Sequence, residues 1–248
     1  MISKSQIKFI KSLQLKKYRK EEQCFVVDGE KGVEEVLKSD FKIEMLLVTE
    51  SFRERKAKLW KDVNVDWLIV TEKQLAAVSS FQTNESVLAV VRQKPNQLPV
   101  LGQNEFILAL DDIRDPGNLG TIIRTADWFG IRKIIASEQT ADGYNPKVIN
   151  STMGSFTRVQ LAYANLMDLI PQWEAPVYGT FMDGEDVHEE RFDKRGVIVI
   201  GNEANGISPA IQSLVTHRIT IPGAVGAESL NAAVATGIVL DNWSRLKK

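Results

Sequence analysis

Ser229 and Asn231, with Glu228 just before them, are polar residues at the mouth of a segment that is otherwise small and apolar, ITIPGAVGAESLNAAVATGIVLDNWSRL, residues 219–246. The β-rich run 217–221 breaks at Pro222 and enters the small-residue loop Gly223-Ala224-Val225-Gly226-Ala227. Leu230, Ala233, Val234, Gly237 and Ile238 then recur near the 3.6-residue period of a helix. Backbone N–H groups at a helix start, beside glycines that admit close approach, form a cradle for a ligand. The same residues also suit a plain turn and a well-capped helix, with Ser229 as N-cap and Arg245, Lys247 and Lys248 near the C-terminal end. The segment alone is compatible with either.

Two further loops share this design. The apolar run 106–110 has the composition of a strand buried on both faces, and it ends in Asp111-Asp112-Ile113-Arg114-Asp115-Pro116-Gly117-Asn118. A helix follows with the stripe Leu119, Ile122, Ile123 and Ala126, Asn118 as a candidate N-cap and Gly130 suited to its C′ position. Arg124 falls on a face of that helix away from the stripe. The run 197–200 likewise enters Gly201-Asn202-Glu203-Ala204-Asn205-Gly206-Ile207, and Ser208-Pro209 then opens another helix. In open α/β sheets ligands sit beyond the carboxyl ends of the strands, so three such loops in one domain mark a binding site. Neither G-x-x-x-x-G-K-[ST] nor G-x-G-x-x-G occurs, which removes the usual nucleotide and dinucleotide fingerprints.

The elements that must position these loops alternate along the chain. Strands are expected at 24–27, 43–49, 67–70 and 87–91, with helices between them, which implies βαβ units in a layered α/β domain over residues 1–95. Residues 96–105, within RQKPNQLPVLGQNE, form a linker candidate, and residues 106–248 form a second α/β domain. Residues 1–99 carry 18 basic and 14 acidic side chains, and the remainder 13 and 18, so the near-zero net charge hides a basic first domain. The first 20 residues hold seven cations, including Lys11, Lys16, Lys17 and Arg19, and no acid, a modest nucleic-acid signal that also fits a solvated helix face. Cys24 stands alone, so a disulfide framework and a thiolate metal cluster are excluded, and neither His188 nor His217 has metal-ligand spacing. No run approaches a membrane span and no signal peptide is read, so a cytoplasmic protein with no membrane partner is expected.

DPGNLGTIIRTADWFG, VIGNEANGIS and ITIPGAVGAESLNAAVATGI, in this order, closely resemble the three motifs of the SpoU (TrmH) family of the SPOUT superfamily, and NPKVINSTMGSFTRV is similar to the family's intervening segment. The resemblance covers residues 106–248 well; residues 1–95 resemble, more loosely, the family's N-terminal substrate-binding domain of L30e type. It implies an S-adenosylmethionine-dependent RNA ribose 2′-O-methyltransferase. Carried over by position, it implies catalytic or RNA-handling roles for Asn118, Arg124, Glu203, Ser229 and Asn231, and cofactor contacts, largely through backbone atoms, at Gly201, Ile221 and Leu230. Ala204-Asn205 departs from the glycine or acidic residue frequent in the family.

The resemblance further implies a trefoil knot in the C-terminal domain, although knots are nearly absent among folds, and a homodimer with the active site built across the subunit boundary. It implies no metal. Methyl transfer from a sulfonium has a good leaving group, so the protein must align the hydroxyl and assist loss of its proton. A guanidinium stays protonated, so Arg124 is read as a phosphate grip and alkoxide stabiliser in place of the general base that the family's arginine is often taken to be. Without the motif Arg124 would read as an exposed helix arginine. The N-terminal domain points to ribosomal RNA ahead of transfer RNA, and a non-catalytic RNA-binding protein or a flavodoxin-like nucleotide enzyme are the rival readings.

Overall fold

Capped helices alternating with buried apolar runs divide the chain into two units, Met1–Pro95 with Tyr144–Thr157, and Asn96–Gly143 with Arg158–Lys248. The structure is a computed structural model that describes residues 2–56, 60, 66–80, 84, 86–224 and 229–245. In the first unit, Ser3 opens helix α1 (Lys4–Ser12) with a capping box: its hydroxyl accepts the Gln6 N–H at 3.2 Å, and the Gln6 side chain accepts the Ser3 N–H at 2.8 Å. Helix α2 (Lys16–Glu22) lies where the sequence reads as a basic turn. The inward residue of α2 is an arginine, so no apolar stripe announces the helix. Arg19 is 2% exposed and donates to the Leu13 and Gln14 carbonyls, each at 2.8 Å.

Strands β1 (Cys24–Asp28), β2 (Ile43–Thr49), β3 (Trp67–Val70) and β4 (Val87–Arg92) enclose helices α3 (Glu30–Leu37), α4 (Glu50–Lys56) and α5 (Glu72–Ala76). The sheet order is β1-β4-β2-β3. Alternation of strands and helices implied parallel βαβ units, and only β2 and β3 pair that way. Strand β4 runs antiparallel between β1 and β2. Val87 to Val91 are all fully buried, as the central place of β4 between β1 and β2 requires. Cys24 is buried in the core beside Leu88 and Val90, and burial pushes its thiol pKa up.

The second unit begins with β5 (Phe106–Leu110), α6 (Pro116–Phe129) and β6 (Lys133–Ala136). Helix α7 (Pro146–Ser151) and the turn after it pack within the first unit, where Phe25 meets the Tyr144 and Phe156 rings at centroid distances of 4.6 and 5.8 Å. The second unit continues with β7 (Gln160–Tyr163), α8 (Leu166–Leu169), β8 (Val177–Asp186), β9 (Gly196–Ile200), α9 (Pro209–Gln212), β10 (His217–Thr220) and α10 (Ala232–Arg245). Ahead of β5, Asn96 exchanges two hydrogen bonds with the Tyr163 backbone at 2.8 and 2.9 Å. Among the described residues no helix is long and apolar enough to cross a membrane.

Six strands form a fully parallel sheet in the order β10-β8-β9-β5-β6-β7. The chain moves outward from β5 through β6 to β7, then returns to the other side, where β9 pairs with β5. The direction therefore reverses between β5 and β9, and a crevice opens at the carboxyl ends of strands at such a reversal. The loops 111–118 and 201–207 leave the sheet there.

Candidate active site

Helix α6 begins with Asp115 as N-cap and Pro116 at its first position; the Asp115 carboxylate accepts the Asn118 N–H at 2.9 Å. Asn118 is thus inside the first turn, not its cap, and its side chain is available for other bonds. Gly130 ends the helix in the left-handed conformation, φ +83°, as expected from its position.

The Asn118 amide is a hub. Its Nδ2 donates to a Glu203 carboxylate oxygen in a charge-assisted hydrogen bond, and its Oδ1 accepts from Asn231 Nδ2 at 2.9 Å. Asn231 in turn caps α10: its Oδ1 accepts the N–H groups of Ala233 and Val234 at 3.0 and 3.3 Å. The capping role expected of Ser229 therefore falls to Asn231, two residues later. One chain of side-chain bonds, Glu203–Asn118–Asn231, ties together the loops after β9 and β5 and the start of α10.

The Gly201 loop is folded tightly on itself. Asn202 and Gly206 exchange backbone bonds at 3.0 and 2.8 Å, and a Cβ at Gly201 would lie 2.3 Å from backbone atoms of Gly206 and Ile207, a space only glycine fits. The Asn202 side chain donates to the Asp112 carbonyl at 2.8 Å and accepts from the Ala204 and Asn205 N–H groups, so the departure at 204–205 is held by backbone contacts. Asp111, buried at the end of β5, accepts the Ser208 N–H at 2.7 Å. From the other side, Ser137 Oγ accepts the Asp112 N–H at 2.8 Å and Thr140 Oγ1 accepts that of Ile113 at 3.3 Å. These positioning residues carried no motif signal. The one trace in the sequence was Asp111, an acid directly after a buried strand.

The remaining expected residues are not joined to the hub. Arg124 is exposed on α6 and has no hydrogen-bond or ion-pair partner among the described residues. Ser229 and Leu230 are exposed just before Asn231, Leu230 at 46%, and Ile221 is half-buried after β10. Glu228, with Val225 to Ala227, lies outside the described residues, as do Lys247 and Lys248. Among the described residues no group of three or more histidine, cysteine or acidic side chains could hold a metal ion.

Residues 105–241 match the model of the SpoU rRNA Methylase family, and residues 4–89 match an MRM3-like substrate binding domain. The 23S rRNA (guanosine(2553)-2'-O)-methyltransferase RlmP of Bacillus subtilis is 30% identical over 94% of this chain and 94% of its own. A TrmH-family protein from Porphyromonas gingivalis superposes with a TM-score of 0.88 at 36% identity, covering 99% of both chains. An rRNA methyltransferase from Sinorhizobium meliloti, solved with AdoMet bound, gives 0.86 at 32% identity over 99% of this chain and 97% of its own.

Proposed function

Because the chain belongs to the SpoU rRNA methylase family, we propose that it transfers a methyl group from S-adenosylmethionine to a ribose 2′-hydroxyl of ribosomal RNA in the cytoplasm. The observation that carries this reading is the Glu203–Asn118–Asn231 chain, which draws three segments of distant sequence together at the carboxyl edge of the sheet. The cofactor fits what lines that edge. The tight Gly201 turn, half-buried Ile221 and exposed Leu230 offer backbone groups and apolar surface to an adenosine, with Glu203 the acid in the Asn118 hub. When bound, it supplies an electrophilic methyl on a good leaving group. The chain's own residues must then hold the RNA hydroxyl in line and stabilise charge as its proton leaves.

Arg124 suits the second task, because a planar guanidinium with no partner among the described residues can grip a phosphate and a developing alkoxide. Asn118 and Asn231 orient the loops, and Ser229, exposed with no side-chain hydrogen bond among the described residues, is placed in the reading as a contact to ribose or cofactor. The active unit is a homodimer with Arg124 serving the partner's crevice. What supports this is apolar surface on α6 and α10, which pack together, and just before α10: Trp128 is 85% exposed, Val234 51% and Leu230 46%. The reading includes a trefoil knot, supported by the return of the chain from the outer strand β10 to Asn118 at the sheet's centre. Residues 1–95 act as the RNA-binding domain and residues 106–248 as the catalytic one.

Deleting the gene and mapping ribose methylation of ribosomal RNA by primer extension tests the function. Loss of one 2′-O-methyl site, restored by the wild-type gene but not by Arg124→Ala, is expected. An unchanged methylation map of ribosomal RNA contradicts it.

A further inference from the structure

Within the loop that leads into α6, one residue departs from easy backbone geometry. Asp112 has φ +60°, in the left-handed region that glycine adopts freely and that, among other residues, mainly asparagine and aspartate enter at some cost. Its backbone is pinned on both sides, by Ser137 Oγ on its N–H and Asn202 Nδ2 on its carbonyl, both at 2.8 Å. Its carboxylate accepts from Arg114 Nε at 2.8 Å. An exposed ion pair returns little stability, so the fold gains nothing evident from keeping a carboxylate where glycine would relieve the strain. Strain retained in this way points to use of the side chain.

The carboxylate holds Arg114 by its inner nitrogen. Arg114 is 70% exposed, and its two terminal nitrogens have no partner among the described residues. The other acids of the loop are turned onto the protein: Asp111 accepts the Ser208 N–H and Asp115 the Asn118 N–H. The loop's outward face therefore presents a guanidinium fork fixed four residues from the Asn118 hub. A fork offering paired N–H groups in a set orientation matches the oxygens of a phosphodiester, which an ammonium would meet only as a point charge.

We propose that Arg114 binds a backbone phosphate of the RNA beside the methylated nucleotide, and that Asp112 is the positioning residue that aims it. This rests on the RNA methyltransferase reading above. Arg114 fixes the substrate's register and takes no part in the chemistry, so its loss weakens RNA binding far more than turnover.

The test is steady-state methyl transfer together with RNA binding at several salt concentrations, using ribosomal RNA that lacks the modification. Arg114→Ala is expected to raise the RNA KM about tenfold, with a much smaller change in kcat, and to lower the slope of log affinity against log salt by about one. Arg114→Lys should recover part of the affinity. Asp112→Gly should keep or raise Tm and still raise the RNA KM severalfold, with Asp112→Asn in between because its amide oxygen still accepts from Nε. An RNA KM and salt slope unchanged in Arg114→Ala overturn the proposal, as does a loss confined to S-adenosylmethionine affinity. A wild-type protein that transfers no methyl group contradicts the function itself, a result distinguishable from either.

Discussion

In the proposed reading Arg124 serves the chemistry and Asn118 the architecture. Arg124 is exposed and unpartnered within the described residues, so Arg124→Ala should leave Tm nearly unchanged. Methyl transfer at saturating RNA should nevertheless fall ten- to a thousand-fold, about 1.4–4 kcal/mol, the range for one contact to developing charge. Arg124→Lys should be costly too, since an ammonium does not reproduce the fork. Its residual rate should follow the wild-type pH profile if the arginine only stabilises charge; a limb moved to lower pH would instead mark it as the base. At the hub, Asn118→Asp places a carboxylate oxygen where Nδ2 now meets Glu203, and like charges in contact repel. Calorimetry with S-adenosylmethionine should therefore show a larger loss of affinity for Asn118→Asp than for Asn118→Ala. Equal losses would show that the Glu203 contact does not hold the loop. The partners of this hub lie 85 and 113 residues beyond Asn118, so no local pattern connects them. The motifs named Asn118, Glu203 and Asn231 separately, and only the fold shows that one amide joins them.

Strands and helices were legible where an apolar run or stripe marked them, as at Ile43–Thr49, Trp67–Val70 and Phe106–Leu110. They were illegible where polar residues did the packing. Helix α2 is organised on Arg19, which the sequence offers as one more cation for RNA; burial against the Leu13 and Gln14 carbonyls makes it structural instead. Arg19→Ala should destabilise the protein by about 1–3 kcal/mol by leaving buried carbonyls unpaired. Changing Lys11, Lys16, Lys17 and Lys20 to glutamine should spare stability, because all four are exposed. The quadruple change should weaken RNA binding and flatten its salt dependence, leaving cofactor affinity alone; an unchanged slope would return these lysines to a solvated face. The position of β4 was likewise hidden, because an apolar run shows neither which strands it pairs with nor which way it runs: β1, at the sheet edge, is as buried as β4 at its centre. Strand β8 extends past its apolar start into MDGED, where pairing with β10 sustains a stretch with no apolar signal. Tyr178, buried in β8 with its hydroxyl bonded to Asp193, has its pKa pushed up to about 12 from 10.0. The folded state then holds that proton more tightly than the unfolded chain, so its contribution is full below pH 10 and is lost as pH rises from about 10 to about 12. Tyr178→Phe should remove that part of the alkaline fall in Tm.

Taken as a whole, the active molecule in the proposed reading is two chains. Light scattering at micromolar concentration should give a dimer, and replacing the exposed Trp128 with a charged residue should shift it toward monomer. If Arg124 serves the partner's crevice, mixing and refolding Arg124→Ala with Glu203→Ala subunits should restore about a quarter of wild-type activity, since half the dimers form at random with one intact site of two. No recovery would put both residues in the same chain's site. The central claim, methyl transfer to ribose, is tested most directly by incubating the protein with unmodified ribosomal RNA and methyl-labelled S-adenosylmethionine, then digesting the RNA and identifying the labelled nucleoside by mass spectrometry. The label is expected on a single 2′-O-methylated nucleoside and nearly absent with Arg124→Ala. Label on a base, or none despite measurable binding of RNA and cofactor, would contradict it.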